Sequence, residues 1–308
     1  MHDYIIVGAG SSGSVLARRF VDAGKKVLLI EAGHLVKETA NIDKIGGFPN
    51  LWGSKYDWNY ETIPQKDLSN RVININQGKV VGGSGSINAM MFVRGHKSNY
   101  EQLSEKGGEL WSMSNLNKAL SKIENYIDGP KEGRFQTGII QVRNCPDPTS
   151  YCPEFQQSAK DIGYKSDDWD YNGPIQGSGA GPLQFNIDEN GDRHSPFKAY
   201  LKEILDNKNL EIISNAQVKR ITLHNNVANG VEVELADGSL KKITCNKKII
   251  ISAGALGSPI LLEKSGIGDP KILKNANINI KVEAPSVGKN LMDHLQLPVL
   301  FKLKKQLP

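Results

Sequence analysis

Gly8, Gly10 and Gly13 fall in the spacing G-x-G-x-x-G. They follow the apolar run Tyr4-Ile5-Ile6-Val7 and precede a segment with apolar residues at helical spacing, Val15, Leu16, Phe20 and Val21. A strand feeding a helix through such a turn is a phosphate-binding device. Gly8 permits the tight turn, Gly10 lets the backbone approach a pyrophosphate, and Gly13 lets the helix pack close to the sheet. The helix then presents unpaired N–H groups and a partial positive charge to the phosphates. The next apolar run, Val27-Leu28-Leu29-Ile30, ends at Glu31. A carboxylate there can accept both ribose hydroxyls of an adenosine and would repel a 2′-phosphate. The fingerprint alone does not separate NAD from FAD. Glu31-Ala32-Gly33 runs into a long irregular stretch, residues 34–77 with Pro49, Trp52, Trp58 and Pro64, rather than another regular strand–helix unit, and this favours FAD.

The elements that must hold these groups are legible nearby. The two apolar runs predict buried parallel strands, and Gly24 ends the first helix. A second small-residue segment, Gly78-Lys79-Val80-Val81-Gly82-Gly83-Ser84-Gly85-Ser86-Ile87-Asn88, flows into the apolar Ala89-Met90-Met91-Phe92-Val93 and then Arg94-Gly95. Its small residues let backbone N–H groups close on a planar ligand. Helical spacing recurs over 115–127, and Ser195 with Pro196 predicts a helix over 195–205. Residues 128–190 read as loops with short strands such as Ile139–Val142. Residues 210–252 alternate as strands, with hairpin turns at Asn225-Asn226 and Asp237-Gly238. Ile249-Ile250-Ile251 predicts another buried strand, and Ser258-Pro259 the opening of a helix through Leu262.

Three long motifs in order resemble the signatures of the glucose-methanol-choline (GMC) oxidoreductase family. They are Gly78–Gly95, the segment Gly254-Ala255-Leu256-Gly257-Ser258-Pro259-Ile260-Leu261-Leu262-Glu263-Lys264-Ser265-Gly266-Ile267-Gly268, and Val287-Gly288-Lys289-Asn290-Leu291-Met292-Asp293-His294. Asp57-Trp58-Asn59-Tyr60 and Pro64-Gln65 add to the likeness, which runs from Asp3 to His294. The resemblance implies a flavoprotein that oxidises a small alcohol, choline-like or otherwise, by hydride transfer to FAD. It implies an α/β fold: a Rossmann-like FAD-binding domain and a second, partly missing α+β substrate domain with an antiparallel sheet. Residues 1–100 and 191–296 would form the FAD-binding domain, 101–190 the substrate domain, and 297–308 the start of a truncated substrate-domain segment. Carried over by position, Ser11 and Ser12 lie at the pyrophosphate with Gly8, Gly10 and Gly13, and Glu31 with Ala32 at the ribose. Val81, Gly83, Ser84, Asn88, Ala89, Met90 and Met91 border the flavin and its ribityl chain, Gly254 belongs to the second signature, and the Val218 backbone meets the adenine. No histidine lies between Leu35 and Val93, so the expected FAD is non-covalent.

Alcohol oxidation needs a base for the hydroxyl proton and a donor for the developing alkoxide. The resemblance assigns these to a histidine, paired with a second histidine or an asparagine, well beyond the Asn290–His294 motif, past Pro308. None of His2, His34, His96, His194, His224 and His294 has a context that marks it as that base, so no catalytic residue is assigned. The apolar run Pro298–Leu303 reads as a strand without a following partner. The alternative to an enzyme is therefore a non-catalytic flavin-binding fragment, which would need a complementing C-terminal chain.

Composition excludes several other classes. The chain has 308 residues, 39% hydrophobic and 23% charged, as ordinary globular proteins do. Its net charge of +5 comes without a Lys/Arg block of the kind that binds nucleic acid. No stretch is long and apolar enough to span a membrane. Residues 1–7 do not read as an export signal. Three cysteines, Cys145, Cys152 and Cys245, make neither a disulfide framework nor a zinc site. A reducing, cytoplasmic setting is the expectation.

Overall fold

In the computed structural model, all residues are described except 38–39, 146–150, 167–168, 175–176, 295–298, 300–301 and 303–308, and of 40–41 only the backbone. The predicted strand at Pro298–Leu303 lies outside the described residues but for Val299 and Lys302. The chain divides into two compact units, Met1–Met90 with Asp192–Asn290, and Met91–Gly191 with Leu291–Pro308.

The first unit is built on a six-stranded sheet. Its strands are β1 (His2–Val7), β2 (Val27–Ile30), β3 (Leu210–Ile213), β4 (Gln217–His224), β5 (Val227–Glu234) and β6 (Leu240–Ile251), in the order β3-β2-β1-β6-β5-β4. β3, β2, β1 and β6 are mutually parallel. The other half is an antiparallel meander. The long strand β6 belongs to both: residues 240–244 pair antiparallel with β5, and Cys245 to Ile251 pair in parallel with β1.

The apolar runs explain the centre. β1 and β2 are covered on both faces, so both faces must be apolar. Ile6 and Leu29 join Ala17, Val21, Val81, Phe197 and Leu201 on one face. Ile5, Val7, Leu28 and Ile30 join Ala216, Ile221, Val231, Val233 and Leu261 on the other. Helix α1 (Ser11–Asp22) buries Gly13, Ser14, Ala17 and Val21 as a single stripe. Helix α2 (Gly254–Lys264) contributes Leu261 to the opposite layer. This layered, mostly parallel arrangement is Rossmann-like.

Several boundaries differ from expectation. The helix expected to open at Ser258-Pro259 begins at Gly254, and Pro259 sits inside it. As the sixth residue of the helix Pro259 lies past its first turn, and α2 lacks the bond that an N–H there would give to Ala255 O. The helix expected over 195–205 is a π-turn over Phe197–Leu201 followed by a 3-10 turn over Lys202–Ile204. Ser195 does cap it, its Oγ accepting from Lys198 N–H at 3.2 Å, but Lys202 N–H donates to Phe197 O, five residues back.

In the second unit, the helix expected over 115–127 is Met113–Ile123 and gives way to the strand Glu124–Tyr126. That strand pairs in parallel with Ile140–Asn144, which pairs antiparallel with Gln184–Phe185. A buried carboxylate ends the helix there. Glu124 is 0% exposed and meets the guanidinium groups of Arg134 and Arg94. Arg134 continues to Asp170 at 3.1 Å and to Gln184 Oε1 at 2.7 Å. Burial would raise the Asp170 carboxyl, but the Asn172 N–H and Arg134 outweigh it and hold it below its ordinary value.

Candidate functional site

A crevice of about 490 Å³ opens in the first unit at the carboxyl ends of β1, β2 and β6, where Val7, Ile30 and Ile251 line it. In open α/β sheets this is where ligands bind. Five of the predicted residues form its floor and one wall: Gly8, Gly10, Ser11, Ser12 and Gly83.

The floor follows from backbone geometry. Gly8 has φ +95°, and a Cβ there would stand 2.4 Å from Ser252 O. A Cβ on Gly13 would stand 1.9 Å from Gly8 O, so only glycine lets α1 start this close to β1. The ladder of α1 begins with Ser14 N–H to Gly10 O. The N–H groups of Ser11, Ser12 and Gly13 therefore stand outside it, at the positive end of the helix dipole. The start of α2 also borders the crevice, through Gly254, Ala255 and Leu256. This second helix start escaped sequence reading because Ser258-Pro259 offered a stronger local signal.

The two glycine segments, far apart in sequence, meet here. Gly82 N–H donates to Ala9 O at 2.7 Å. Gly83 has φ +59°, and a Cβ on it would lie 2.6 Å from the Gly10 Cα. Ser84, which also lines the crevice, accepts the Gly78 N–H on its Oγ at 3.0 Å.

At the other end, Glu31 and Ala32 line the crevice together with Val218. Glu31 is only 6% exposed. Its carboxylate accepts the N–H of Ala9 and of Gly33, each at 2.9 Å. An ionised carboxylate has about four acceptor positions, so these N–H groups leave capacity for a hydroxyl donor from the crevice. Burial raises the Glu31 carboxyl above its ordinary value, against the opposing pull of the Ala9, Gly33 and Ala32 N–H groups and Lys79. Val218 lies beside a bulge: Arg220 faces Glu232 and Val218 faces Val233, leaving Lys219 as the extra residue.

Val81 and Met90 are buried, at 3% and 4% exposed, and Val81 packs in the core beneath α1. Neither they nor Asn88, Ala89 and Met91 line the crevice, and Met91 opens the second unit.

Sequence reading did not assign the aromatic wall. Trp58 and Tyr60 line the crevice, stacked with centroids 5.6 Å apart and planes 6° apart. Lys79 Nζ lies 4.8 Å from the Trp58 ring centre. Asp57 is the anchor. Its carboxylate accepts from Gly53 N–H (3.1 Å), Asn59 N–H (3.1 Å), Gln77 N–H (2.9 Å) and Asn76 Nδ2 (2.6 Å). Burial would raise the Asp57 carboxyl, but these donors outweigh it and hold it below its ordinary value. The signal was present in Asp57-Trp58-Asn59-Tyr60, but nothing local connects it to the glycine turn.

None of the six histidines lines the crevice. Among the described residues, no cluster of His, Cys, Asp or Glu could hold a metal ion. Nor is any helix long and apolar enough to cross a membrane.

The crevice fits a dinucleotide on three counts: a helix N-terminus at the glycine turn, a close glycine–glycine approach that a single Cβ would fill, and a buried carboxylate open to the crevice. Comparison with known proteins agrees. A profile of the GMC oxidoreductase family matches residues 2–296. The oxygen-dependent choline dehydrogenase of Photobacterium profundum is 36% identical over 301 residues, covering 96% of this chain and 52% of that protein. That of Vibrio vulnificus is 37% identical over 308 residues, covering 99% and 54%. The chain thus spans about half the length of the curated relatives it matches. Among solved structures, pyridoxine 4-oxidase from Mesorbium loti superposes with a TM-score of 0.84 at 30% identity, over 93% of this chain and 56% of that one. An FAD-dependent oxidoreductase from Chaetomium thermophilum gives 0.85 at 27%, over 95% and 52%. The cofactor these comparisons indicate is FAD, and the chain belongs to the GMC oxidoreductase family.

Proposed function

We propose that this chain is the FAD-binding portion of an oxidoreductase acting on the CH–OH group of a small alcohol, choline or a related primary alcohol. The observation that carries the reading is the meeting of Gly83 with Gly10 above the N-terminus of α1, with Glu31 at the far end of the same crevice. When bound non-covalently, FAD supplies the acceptor for hydride from the alcohol carbon.

The chain's own residues supply binding and orientation. The N–H groups at Ser11 and Ser12 would face the pyrophosphate, and Gly10 and Gly83 would leave room for it. Glu31 would accept the ribose hydroxyls. The backbone of Val218, beside its bulge, would meet the adenine edge, and Trp58 with Tyr60 would exclude water from one side. Asn88 to Met91 would border the flavin ring. We place the chain in a reducing, cytoplasmic setting, in which Cys145 and Cys245 stay free thiols.

A second reading is a flavin-binding portion without turnover of its own, and it is supported by the chain's spanning about half the length of the relatives it matches. Such a chain would need the proton-accepting base from a second chain. Two measurements decide. Flavin released by heat from protein reconstituted with FAD tests cofactor and attachment; tight NAD binding with no flavin would overturn the FAD reading. Anaerobic bleaching of the bound flavin by choline and a panel of primary alcohols tests turnover. Rapid bleaching supports the enzyme reading for this chain alone, and its absence with FAD firmly bound supports the second.

A further inference from the structure

Arg193 is the largest wholly buried side chain of the first unit, at 0% exposed, and nothing in the crevice accounts for it. Its backbone N–H donates to Asp43 O at 2.8 Å and its Nε to Ile42 O at 3.1 Å. Its Nη1 serves a segment more than a hundred residues away, donating to Asn88 O at 2.7 Å and Asn88 Oδ1 at 2.8 Å, with Gly85 O at 3.4 Å. Nη2 is buried with no hydrogen-bond acceptor among the described residues. Burying a guanidinium is costly, and here the bonds to the Gly85–Asn88 segment are the main return. Burial lowers the Arg193 pKa to about 10, against the pull of Asp43, so the group stays charged at neutral pH.

Asn88 passes this restraint on. Its Oδ1 also accepts the Met90 N–H at 3.0 Å. Met90 has φ +61°, a left-handed conformation disfavoured for a residue with a side chain. One amide oxygen thus joins the buried guanidinium to the backbone residue that most needs holding.

We propose that Arg193 is a positioning residue for the flavin-bordering segment: through the shared oxygen of Asn88 it holds Met90 in its left-handed conformation and sets the course of Asn88 to Met91. The inference rests on the reading above that this segment borders the flavin. Arg193 does not line the crevice and acts through the Gly85–Asn88 segment, chiefly Asn88. It should therefore affect the flavin half of the cofactor and leave the adenosine half alone, since Glu31, Ser11 and Ser12 have no bond to it.

The test uses the full chain with Arg193→Lys, Asn88→Ala and the double variant, titrated with FAD and separately with ADP, which needs only the crevice. Each single variant should weaken FAD about tenfold, the worth of a charge-assisted hydrogen bond, and change the visible circular dichroism of bound flavin. ADP affinity should stay within about twofold, and the double variant should lose clearly less than the product of the two single losses, because both singles break the bond from Arg193 Nη1 to Asn88 Oδ1. Equal loss of FAD and ADP affinity would mean general loosening and overturn the proposal. So would unchanged FAD affinity in both singles, or effects that multiply in the double. If Arg193→Lys does not fold, the FAD-to-ADP comparison in the exposed Asn88→Ala decides. Wild-type protein that binds ADP but not FAD would overturn the flavin reading itself, a result separate from any variant, and the inference would fall with it.

Discussion

The carboxylate of Glu31 accepts the backbone N–H of Ala9 at 2.9 Å, tying the end of β2 to the middle of the glycine turn. Its other oxygen accepts Gly33 N–H. The residue that would read the ribose therefore also shapes the loop that would read the phosphates. Glu31→Ala should show both roles. Loss of the charge-assisted bonds to ribose, about 1.5–3 kcal/mol, should weaken FAD about tenfold to a hundredfold. The protein without cofactor should also lose about 1–3 kcal/mol, because buried N–H groups lose their acceptor. Flavin fluorescence titration and thermal unfolding without FAD measure the two effects. An unchanged dissociation constant would remove Glu31 from the adenosine site.

Glu31 also gives two pH dependences of opposite sign. Burial raises its carboxyl above the ordinary 4.5, so the folded protein without cofactor holds this proton more tightly than the unfolded chain does. The stability this contributes is fully present below 4.5 and is lost as pH rises through the raised folded value. The stability difference between wild type and Glu31→Gln should shift in that direction. Ribose hydroxyls donate to the ionised form, so FAD affinity of the wild type should rise with pH over the same range. Glu31→Gln should flatten both curves. Melts and titrations in buffers from acid to neutral pH read them directly.

The sequence made the centre of this fold legible because the constraints there are local. The runs Tyr4–Val7 and Val27–Ile30 are apolar at every position, and both lie between covered faces. Asn225-Asn226 predicted a two-residue hairpin, and both residues have positive φ, 49° and 60°. What stayed hidden depends on partners remote in sequence. Nothing around Glu124 announces a buried strand, because Arg94 and Arg134 arrive from other loops. Asn88 gives no sign of Arg193, 105 residues away. The aromatic wall needed Asp57 to be recognised as an anchor for Gln77, twenty residues on. The start of α2 was misplaced because a proline signal outweighed Gly254, whose φ of +81° carries no mark in the sequence.

Gly10 and Gly13 belong to one motif but should respond to alanine in opposite ways. A Cβ on Gly13 would press within 1.9 Å of the Gly8 carbonyl oxygen, which is backbone and cannot move aside. Gly13→Ala should destabilise the fold by about 3 kcal/mol, with or without FAD. A Cβ on Gly10 would meet only the Gly83 Cα, at 3.8 Å, and Gly10 has an ordinary φ of −77°. Gly10→Ala should keep or slightly raise the stability of the cofactor-free protein, by up to about 1 kcal/mol, through a stiffer unfolded chain. Its Cβ would occupy the path of the pyrophosphate, so FAD affinity should fall about tenfold or more. Melting temperature without FAD and the FAD dissociation constant separate the two. A stable Gly13→Ala, or a Gly10→Ala that binds FAD as wild type does, would break the assignment.

Asp57 offers the sharpest test of the aromatic wall. Its two oxygens accept four donors, from Gly53, Asn59, Asn76 and Gln77, which fills the acceptor positions of a carboxylate. Asn59 and Gln77 flank Trp58 from two strands of chain, and Trp58 N–H itself donates to Gln77 O at 2.8 Å. Asp57→Asn keeps the shape but replaces one accepting oxygen by a donating amide. Two of the four donors then face another donor, a cost of about 1–3 kcal/mol. The loop should loosen, Trp58 should lose its stacking on Tyr60, and tryptophan emission should move to the red. The pH sign is opposite to that of Glu31. The Asp57 carboxyl is held below its ordinary 3.8, so its stabilisation is present above 3.8 and is lost as pH falls through the lowered folded value. The gap in stability between wild type and Asp57→Asn should therefore be widest near neutral pH and should close in strong acid. A gap that stays constant from neutral pH into strong acid would show that the four bonds do not depend on the charge, and that the wall is held by something other than Asp57.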